Sequence, residues 1–248
     1  MKKNKKVKKL ILFTIPISIF LLIQLILAIN PIAIEDKMLT KDEILEYIPS
    51  KMEKYQNLII FKTQDKTIKE WLKTDALSFK NLGEINYYNY NSSKLQYYVY
   101  PEYTEVHLTI SYKLNKKQMN YVKKNIKKIA KKCKGKNDKE TIKNVNNYYK
   151  KYLSYKRGQN SIYVGLKKGN GNCYTYTMLT KMTLDELGIK NTTVYGSVNN
   201  GQHIWNRVKL GDKWKYLDVT FNDKLNDKYF LISKKQLLKT HKILKERI

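Results

Sequence analysis

Apolar residues recur at intervals of three and four along much of the chain, and this spacing predicts helices. One helix follows Thr40, whose hydroxyl is suited to capping, and carries Ile44, Ile48 and Met52 on a single face. Pro49 is expected to bend or limit this helix. The predicted helices are 40–55, 67–77, 116–134, 138–153, the segment from Cys173 to Gly188, and 233–244.

Runs of β-branched and aromatic residues predict strands. The predicted strands are 57–62, 95–100, 105–114, 192–198, 202–210 and 213–220. Gly211 and Asp212 form a tight turn between the last two, which predicts a hairpin. Because helices and strands are mixed and the late strands are joined by short turns, the pattern predicts an α+β fold rather than a doubly wound parallel sheet.

The register of this hairpin follows from its turn. Pairing the residues that flank the turn and counting outwards places Trp205 opposite Asp218 and His203 opposite Thr220. Directly opposed residues project to the same face, so His203 and Asp218 are expected to lie diagonally within reach of each other. The other face carries the apolar set Ile204, Val208, Leu217 and Val219, which is predicted to face the core.

The beginning of the chain has the pattern of a membrane anchor. Six lysines in the first nine residues precede an uncharged run of 20 residues at 10–29. A run of this length can cross a bilayer as a helix, and the lysines favour the cytoplasmic side. We therefore expect a single-pass protein of the cell membrane whose C-terminal domain is extracellular. Secretion after signal cleavage near Ala28 or Ala33 is the alternative.

The charge of the chain is strongly unbalanced. Its 248 residues include 49 Lys and Arg residues against 21 Asp and Glu residues, a formal net charge of +28. Such a charge favours polyanionic partners such as anionic cell-wall polymers, anionic lipid or nucleic acid. A dense lysine run lies at 123–136. No zinc-finger spacing or RNP-like strand accompanies the charge, so nucleic acid is not the expected partner.

One of the two cysteines lies where a Gly-Asn loop is followed by a predicted helix. The first turn of a helix presents unpaired N–H groups that stabilise a thiolate and can hold an oxyanion, which makes Cys173 a candidate nucleophile. Among the three histidines, His107 lies within a predicted strand and is interpreted as structural, and His241 is expected to be solvated in the terminal helix. His203 is therefore the candidate base, and Asp218 is the candidate orienting carboxylate.

The segment from the Gly-Asn loop to the end of the hairpin resembles the core of the transglutaminase-like superfamily. A Gly-x-Cys opens a helix, a Gly-Ile follows it, and His-x-Trp and Trp-x-x-x-Asp-x-Thr come next. The matching residues are Gly171, Cys173, Gly188, Ile189, His203, Trp205, Trp214, Asp218 and Thr220. The resemblance covers about residues 138–225.

This resemblance implies a papain-like core in which the catalytic cysteine opens a helix packed on an antiparallel sheet carrying His and Asp. Cys173, His203 and Asp218 would form the triad, and we assign Trp205, Tyr174 and Gly171 to substrate binding. Neither cofactor nor metal is expected, because paired Cys-x-x-Cys ligands and a calcium-type acidic cluster are missing from the sequence.

The expected activity is acyl transfer on protein or peptide amide bonds. Proteolysis, amide hydrolysis and crosslinking share the same acylation step, so the triad leaves the choice among them open. The alternative is a non-catalytic surface module that binds anionic wall polymers or a protein partner. The expected organisation is a basic cytoplasmic tail at 1–9, a transmembrane signal anchor at 10–29, a linker at 30–40, an α/β extension at 41–135 and a catalytic core at 136–248.

Overall fold

The computed structural model describes residues 38–72, 77 and 82–246. The predicted tail and anchor at 1–9 and 10–29, and most of the linker, lie outside these residues. Within the described part of the chain, no helix has the length and apolar character that crossing a membrane requires. The described residues divide into two compact units, one up to Lys113 and the other from Leu114 onward.

The first unit is a small α/β structure. Its helices are α1 (Lys41–Glu53), α2 (Ile68–Trp71) and α3 (Glu84–Asn89), and its strands are β1 (Leu58–Thr63), β2 (Tyr90–Val99) and β3 (Thr104–Tyr112). The strands form an antiparallel sheet in the order β1-β3-β2. Thr40 caps α1 through a capping box with Glu43, as the sequence predicts for Thr40. Ile44, Ile48 and Met52 are buried, so their predicted face is confirmed.

The second unit holds the candidate site. Its helices are α4 (Lys116–Cys133), α5 (Asp138–Tyr152), α6 (Ile162–Lys168), α7 (Cys173–Glu186), α8 (Val219–Leu225) and α9 (Lys234–Leu237). Its strands are β4 (Ser154–Tyr155), β5 (Asn170–Gly171), β6 (Asn191–Val198), β7 (Gly201–Leu210), β8 (Lys213–Leu217) and β9 (Lys242–Glu246). A four-stranded antiparallel sheet has the order β8-β7-β6-β9, and β4 pairs in parallel with β5.

Helix α7 is the central helix of this unit. It is buried along most of its length, and it packs on the sheet through polar as well as apolar contacts. The hydroxyl of Thr177 donates to the carbonyl of Ile204 at 2.9 Å, and the Asn206 amide donates to the Thr177 carbonyl at 3.1 Å. These bonds satisfy buried polar groups and fix the position of α7 along β7.

The predicted boundary between 135 and 136 differs from the division into compact units, which falls between Lys113 and Leu114. The reason is the packing of α4. Its apolar stripe is buried, and the helix contacts α7, α6 and α5 of the second unit. An amphipathic helix belongs to the unit that covers its apolar face, and the sequence does not indicate which unit this is.

Two predicted elements near the end of the chain are wrong. The strand predicted over 213–220 ends at Leu217, because Asp218 caps helix α8 and Val219 and Thr220 are helical. Thr220 therefore does not lie opposite His203 on a strand. The helix predicted over 233–244 is only the short α9, and Lys242–Glu246 is a strand that pairs with β6.

Candidate active site

Cys173 is the first residue of α7, as the sequence predicts. The N-cap Asn172 accepts hydrogen bonds through its side-chain Oδ1 from the backbone N–H groups of Tyr174 at 3.1 Å and Thr175 at 3.4 Å. Among the hydrogen bonds of the described residues, none uses the backbone N–H of Cys173. The side chain is half-buried and its thiol is free. The thiol and this N–H group therefore both lie at the N-terminus of α7, where the Asn172 cap binds the next two N–H groups.

The turn that leads into Cys173 is held by backbone hydrogen bonds. Lys156 N–H donates to the carbonyl of Gly171 at 2.8 Å, and Asn172 N–H donates to the carbonyl of Gln159 at 2.7 Å. Gly171 is buried, and a Cβ at this position would lie 2.3 Å from Cβ of Thr175 in α7. Only glycine fits so close to the helix. The structure thus gives Gly171, predicted to bind substrate, a packing role at the entrance to α7.

His203 and Asp218 are brought together at the base of the site. His203 Nε2 lies 2.6 Å from Oδ2 of Asp218, and the side chains are 7% and 0% exposed. The other carboxylate oxygen, Oδ1, accepts the backbone N–H of Phe221 at 3.1 Å, so Asp218 also caps α8. The predicted proximity of His203 and Asp218 is observed, but Asp218 reaches His203 from a helix N-cap and not from a strand.

The pKa of His203 reflects several opposing influences. Burial lowers it, but the charge of Asp218, the hydrogen bond to Asp218 and a side-chain hydrogen bond with Cys173 raise it to about 9. Burial raises the pKa of Asp218, yet the charge and hydrogen bond of His203 outweigh burial and hold it below its usual range. At neutral pH the pair is therefore an imidazolium bound to a carboxylate, with the imidazolium also engaged by the Cys173 side chain.

Aromatic rings enclose His203. Phe221 is stacked on it with ring centroids 4.7 Å apart, and Trp205 is stacked at 5.7 Å. Trp205 is completely buried in a cluster with Val194 and Tyr216, among others. In this conformation Trp205, which the sequence assigns to substrate binding, contacts the histidine and the core. It fixes the imidazole plane and lowers water access to it.

His241 is the site residue that sequence reasoning missed. It lies just before β9, is buried, and its Nε2 is 3.2 Å from the same Oδ2 of Asp218 that His203 contacts. The prediction that His241 is solvated in a helix is wrong, because β9 pairs with β6 and brings the residue into the core. The local sequence contains no signal for this pairing, since it depends on contacts with a strand about 45 residues earlier.

The ring nitrogens and carboxylate oxygen of His203, Asp218 and His241 lie within 4.8 Å of one another. Two imidazoles and a carboxylate could together serve as ligands for a metal ion such as Zn²⁺. In the structure the same atoms hydrogen-bond to each other, with the carboxylate oxygen between two imidazole nitrogens. The arrangement is thus complete as a hydrogen-bonded cluster.

Two tyrosines lie near the thiol. Tyr174 follows Cys173 in the first turn of α7 and is half-buried. Tyr155 in β4 is 43% exposed, and its pKa is raised mainly by partial burial and further by Cys173. Lys224 lies 5.2 Å from the centre of the Tyr155 ring. The sequence did not indicate Tyr155 as a site residue. Its exposed ring interacts electrostatically with Cys173.

The third histidine lies in the first unit. His107 in β3 contacts Glu105 at 2.6 Å and packs on the ring of Tyr98. Its partners lie in its own sheet, in agreement with the structural interpretation from the sequence.

Comparison with protein families identifies the domain that carries this geometry. Residues 112–219 match the family model described as transglutaminase-like superfamily, a segment that includes Cys173, His203 and Asp218. This part of the chain is similar to the transglutaminase-like superfamily. The matched segment begins close to the start of the second compact unit, so the transglutaminase-like domain includes α4.

The solved structures that match the chain have very different sequences. A protein described as a TGase is 11% identical, with a TM-score of 0.40, over 65% of this chain and 50% of that one. A candidate cysteine protease from Cytophaga hutchinsonii is 12% identical, with a TM-score of 0.37, over 62% and 72%. A candidate protease from Parabacteroides distasonis is 11% identical, with a TM-score of 0.34, over 64% and 39%. The chain spans about half the length of the TGase. No curated protein matches it significantly.

Proposed function

We propose that this protein is a cysteine-dependent acyl-transfer enzyme that acts on protein or peptide amide bonds. The observation that carries the proposal is the His203 imidazole, which lies 2.6 Å from the Asp218 carboxylate and whose pKa is also raised by Cys173 at the start of α7. This order of nucleophile, base and orienting carboxylate supports covalent acyl transfer as the proposed chemistry.

In the first half of the reaction, Sγ of Cys173 attacks the carbonyl carbon of the scissile amide. The protonated imidazole of His203 faces the thiolate, and it donates its proton to the leaving nitrogen as the C–N bond breaks. A thioester on Cys173 and a free amine result. Asp218 remains ionised and keeps the imidazole oriented, since its pKa lies below its usual range.

The backbone N–H of Cys173 supports this step. It lies at the positive end of α7 and has no partner among the hydrogen bonds of the described residues. A donor placed in this way can bind the oxyanion that forms when the thiolate attacks. Asn172 contributes by capping the next two N–H groups, which keeps the first turn of α7 in place.

In the second half, His203 takes a proton from water or from a primary amine, which attacks the thioester and releases the thiol. Water gives hydrolysis, and a lysine amine gives a crosslink. Both reactions use the same residues of this chain. The exposed Tyr155 ring interacts electrostatically with Cys173 and has Lys224 5.2 Å from its centre, and we propose that this surface contacts the substrate.

The test is a comparison of the two cysteines. Wild type, Cys173→Ala and Cys133→Ala are incubated with glutamine-containing peptides, with and without a labelled primary amine. Cleavage, deamidation or amine incorporation should disappear only in Cys173→Ala. Iodoacetamide should alkylate Cys173 before Cys133, because Cys133 is buried and burial raises its pKa to about 11. Full activity of purified Cys173→Ala would refute the proposal.

We also propose that the enzyme is extracytoplasmic, anchored by residues 10–29, and that it associates with anionic wall polymers. Support for the second point comes from α4. Its eight lysines, Lys116, Lys117, Lys123, Lys124, Lys127, Lys128, Lys131 and Lys132, are all exposed, and the helix contains no acidic residue. Lysines four residues apart repel each other along the same face. None of these lysines forms an ion pair with an acid in the part of the chain that the structure describes.

A salt titration tests this second proposal. Binding of the protein to purified cell walls should fall steeply as salt rises from about 50 to 500 mM, because exposed charges are screened. The variant with Lys123, Lys127 and Lys131 replaced by Gln should bind more weakly, and Lys41→Gln in the first unit serves as a single-charge control. Binding that is independent of salt and of these lysines would show that the lysine face of α4 is not the contact.

A further inference from the structure

Two histidines contact one carboxylate oxygen in this site. Oδ2 of Asp218 lies 2.6 Å from Nε2 of His203 and 3.2 Å from Nε2 of His241. We propose that His241 is a positioning residue, which holds the Asp218 carboxylate through an N–H donor so that the carboxylate orients His203 for acyl transfer. The inference rests on the proposed function, and it adds a fourth residue to the three that the sequence motifs indicate.

The hydrogen-bond directions follow from the chemistry of the partners. An ionised carboxylate has no proton to give, and the pKa of Asp218 is held below its usual range, so the nearest imidazole nitrogens of both histidines must donate. The other ring nitrogen of His241, Nδ1, lies 2.9 Å from Oγ1 of Thr240. Tyr229 donates its hydroxyl proton to Oγ1 of Thr240 at 3.1 Å.

Both ring nitrogens of His241 have hydrogen-bonding partners. The Thr240 hydroxyl accepts from Tyr229 and lies within hydrogen-bond distance of the Leu237 carbonyl, at 3.4 Å, and of Nδ1 of His241, at 2.9 Å. Nε2 of His241 faces Asp218. The two ring nitrogens thus face a hydroxyl on one side and a carboxylate on the other. His241 supplies a directed N–H group to the Asp218 carboxylate.

Packing fixes the ring of His241. Its side chain is 0% exposed. Ring centroids of Trp205 and Tyr229 lie 4.9 Å away, and that of Phe221 lies 5.5 Å away, all at steep angles. A ring enclosed on several sides cannot turn its N–H away from Asp218 without displacing these neighbours. The donor is therefore pre-oriented.

Each oxygen of Asp218 consequently has a fixed donor besides His203. The Phe221 N–H holds Oδ1 at 3.1 Å, and His241 holds Oδ2 at 3.2 Å. Two donors on two oxygens define the plane of the carboxylate, and His203 then meets an acceptor that is already oriented. Removal of His241 would leave Oδ2 with His203 alone, while the Phe221 N–H would still hold Oδ1.

His241 should also moderate the basicity of His203. A carboxylate that shares its charge with an additional N–H donor attracts the imidazolium of His203 less strongly. The titratable groups that face this pair are Cys173, which contacts His203, and Tyr229, which acts through Thr240. Glu246 of β9 lies in the same sheet, but Arg207 and Tyr216 bind its carboxylate.

The experiment compares His241→Phe, His241→Gln and Tyr229→Phe in the full-length protein with a metal chelator present. The first variant keeps a planar ring without the donor, the second restores an N–H donor, and the third is a control that removes one hydroxyl from the same cluster. The titration of His203 is followed by NMR of imidazole-labelled histidine. The rate of Cys173 alkylation is measured over the same pH range.

In the wild type, His203 should titrate at about 9. In His241→Phe this value should rise by about 0.7 unit, because the carboxylate loses one N–H donor, and the upper inflection of the alkylation profile should move with it. His241→Gln should return most of the shift, and Tyr229→Phe should change it by less than half as much. A low-field N–H resonance from His241 should be present beside that of His203 in the wild type.

Three results would overturn the inference. The first is an unchanged or lowered titration of His203 in His241→Phe, which would make His241 a packing residue. The second is a rise that His241→Gln shares in full, which would assign the effect to the ring and not to its N–H. The third, which needs no variant to fold, is the lack of a His241 low-field proton in the wild type. If Cys173 alkylates no faster than Cys133, the proposed function fails instead, whatever His203 does.

Discussion

The charged state of His203 should make the second unit less stable as the pH rises. Its pKa is raised from 6.5 to about 9 in the folded protein, so the folded state holds a proton that the unfolded state releases earlier. The resulting stability is fully present below pH 6.5 and is lost as the pH rises through about 9. A difference of about 2.5 pKa units corresponds to about 3 kcal/mol, since each unit is worth about 1.4 kcal/mol. His203 is 7% exposed in its side chain, so solvent screening reduces this value little.

Urea unfolding at pH 5.5 and pH 9.5 measures this effect. A Trp71→Phe background leaves Trp205 and Trp214 as the fluorescent reporters, both in the second unit. The free energy of unfolding should fall by about 3 kcal/mol more in this protein than in the same protein with His203→Gln. Gln keeps a side-chain N–H donor for Asp218 but cannot titrate. Equal losses in the two proteins would show that His203 is not the linked group, and the reasoning on its charge state would fail.

Three further predictions concern the site and the anchor. Asp218→Asn should retain the N-cap of α8 but lower the His203 pKa below 6.5. Turnover should fall by about 10⁴, as in the equivalent change in Ser-His-Asp enzymes, and turnover within tenfold of wild type would contradict this. Gly171→Ala should lower the free energy of unfolding by about 1–3 kcal/mol, because the new Cβ would lie 2.3 Å from Cβ of Thr175. Gly201→Ala is the control for this thermal unfolding assay and should be tolerated, because its new Cβ would lie 3.4 Å from the nearest atom, the Val198 carbonyl oxygen. The native protein should fractionate with membranes and resist extraction by high salt. Release by salt alone would exclude residues 10–29 as the anchor. A mature N-terminus near residues 29–34 would indicate cleavage of a signal peptide.

Local signals in the sequence were sufficient for much of the second unit. The helix predicted over 116–134 is Lys116–Cys133, and that over 138–153 is Asp138–Tyr152, because each begins at an Asn cap and carries a clear apolar stripe. The hairpin turn fixes the pairing of Leu210 with Lys213 as predicted. The position of Cys173 at the start of α7 follows equally from its N-cap Asn172, which is a local feature.

Contacts between distant segments could not be predicted in the same way. His241 enters the site only because β9 pairs with β6, and neither the alternation of residues 242–246 nor any turn before them indicates that partner. Tyr155 is placed beside Cys173 by a two-residue parallel pairing of β4 with β5, too short to leave a pattern in the sequence. Both residues depend on tertiary structure that adds to local preference or overrides it.

Asp218 shows how a correct pairing can arise from an incorrect local structure. Counting along an extended strand placed Asp218 near His203, and the strand in fact ends one residue earlier, at Leu217. Asp is a preferred N-cap, and its Oδ1 accepts the Phe221 N–H, so the chain turns into α8 at the point where the carboxylate is needed. The cap leaves Oδ2 free to accept from histidine. The Asp218 side chain therefore ends the strand, starts the helix and directs an acceptor at His203. These three roles explain why aspartate suits this position better than the longer glutamate. The cap holds the carboxylate close to its own backbone, where only a short side chain can accept from Phe221 and His203 at once.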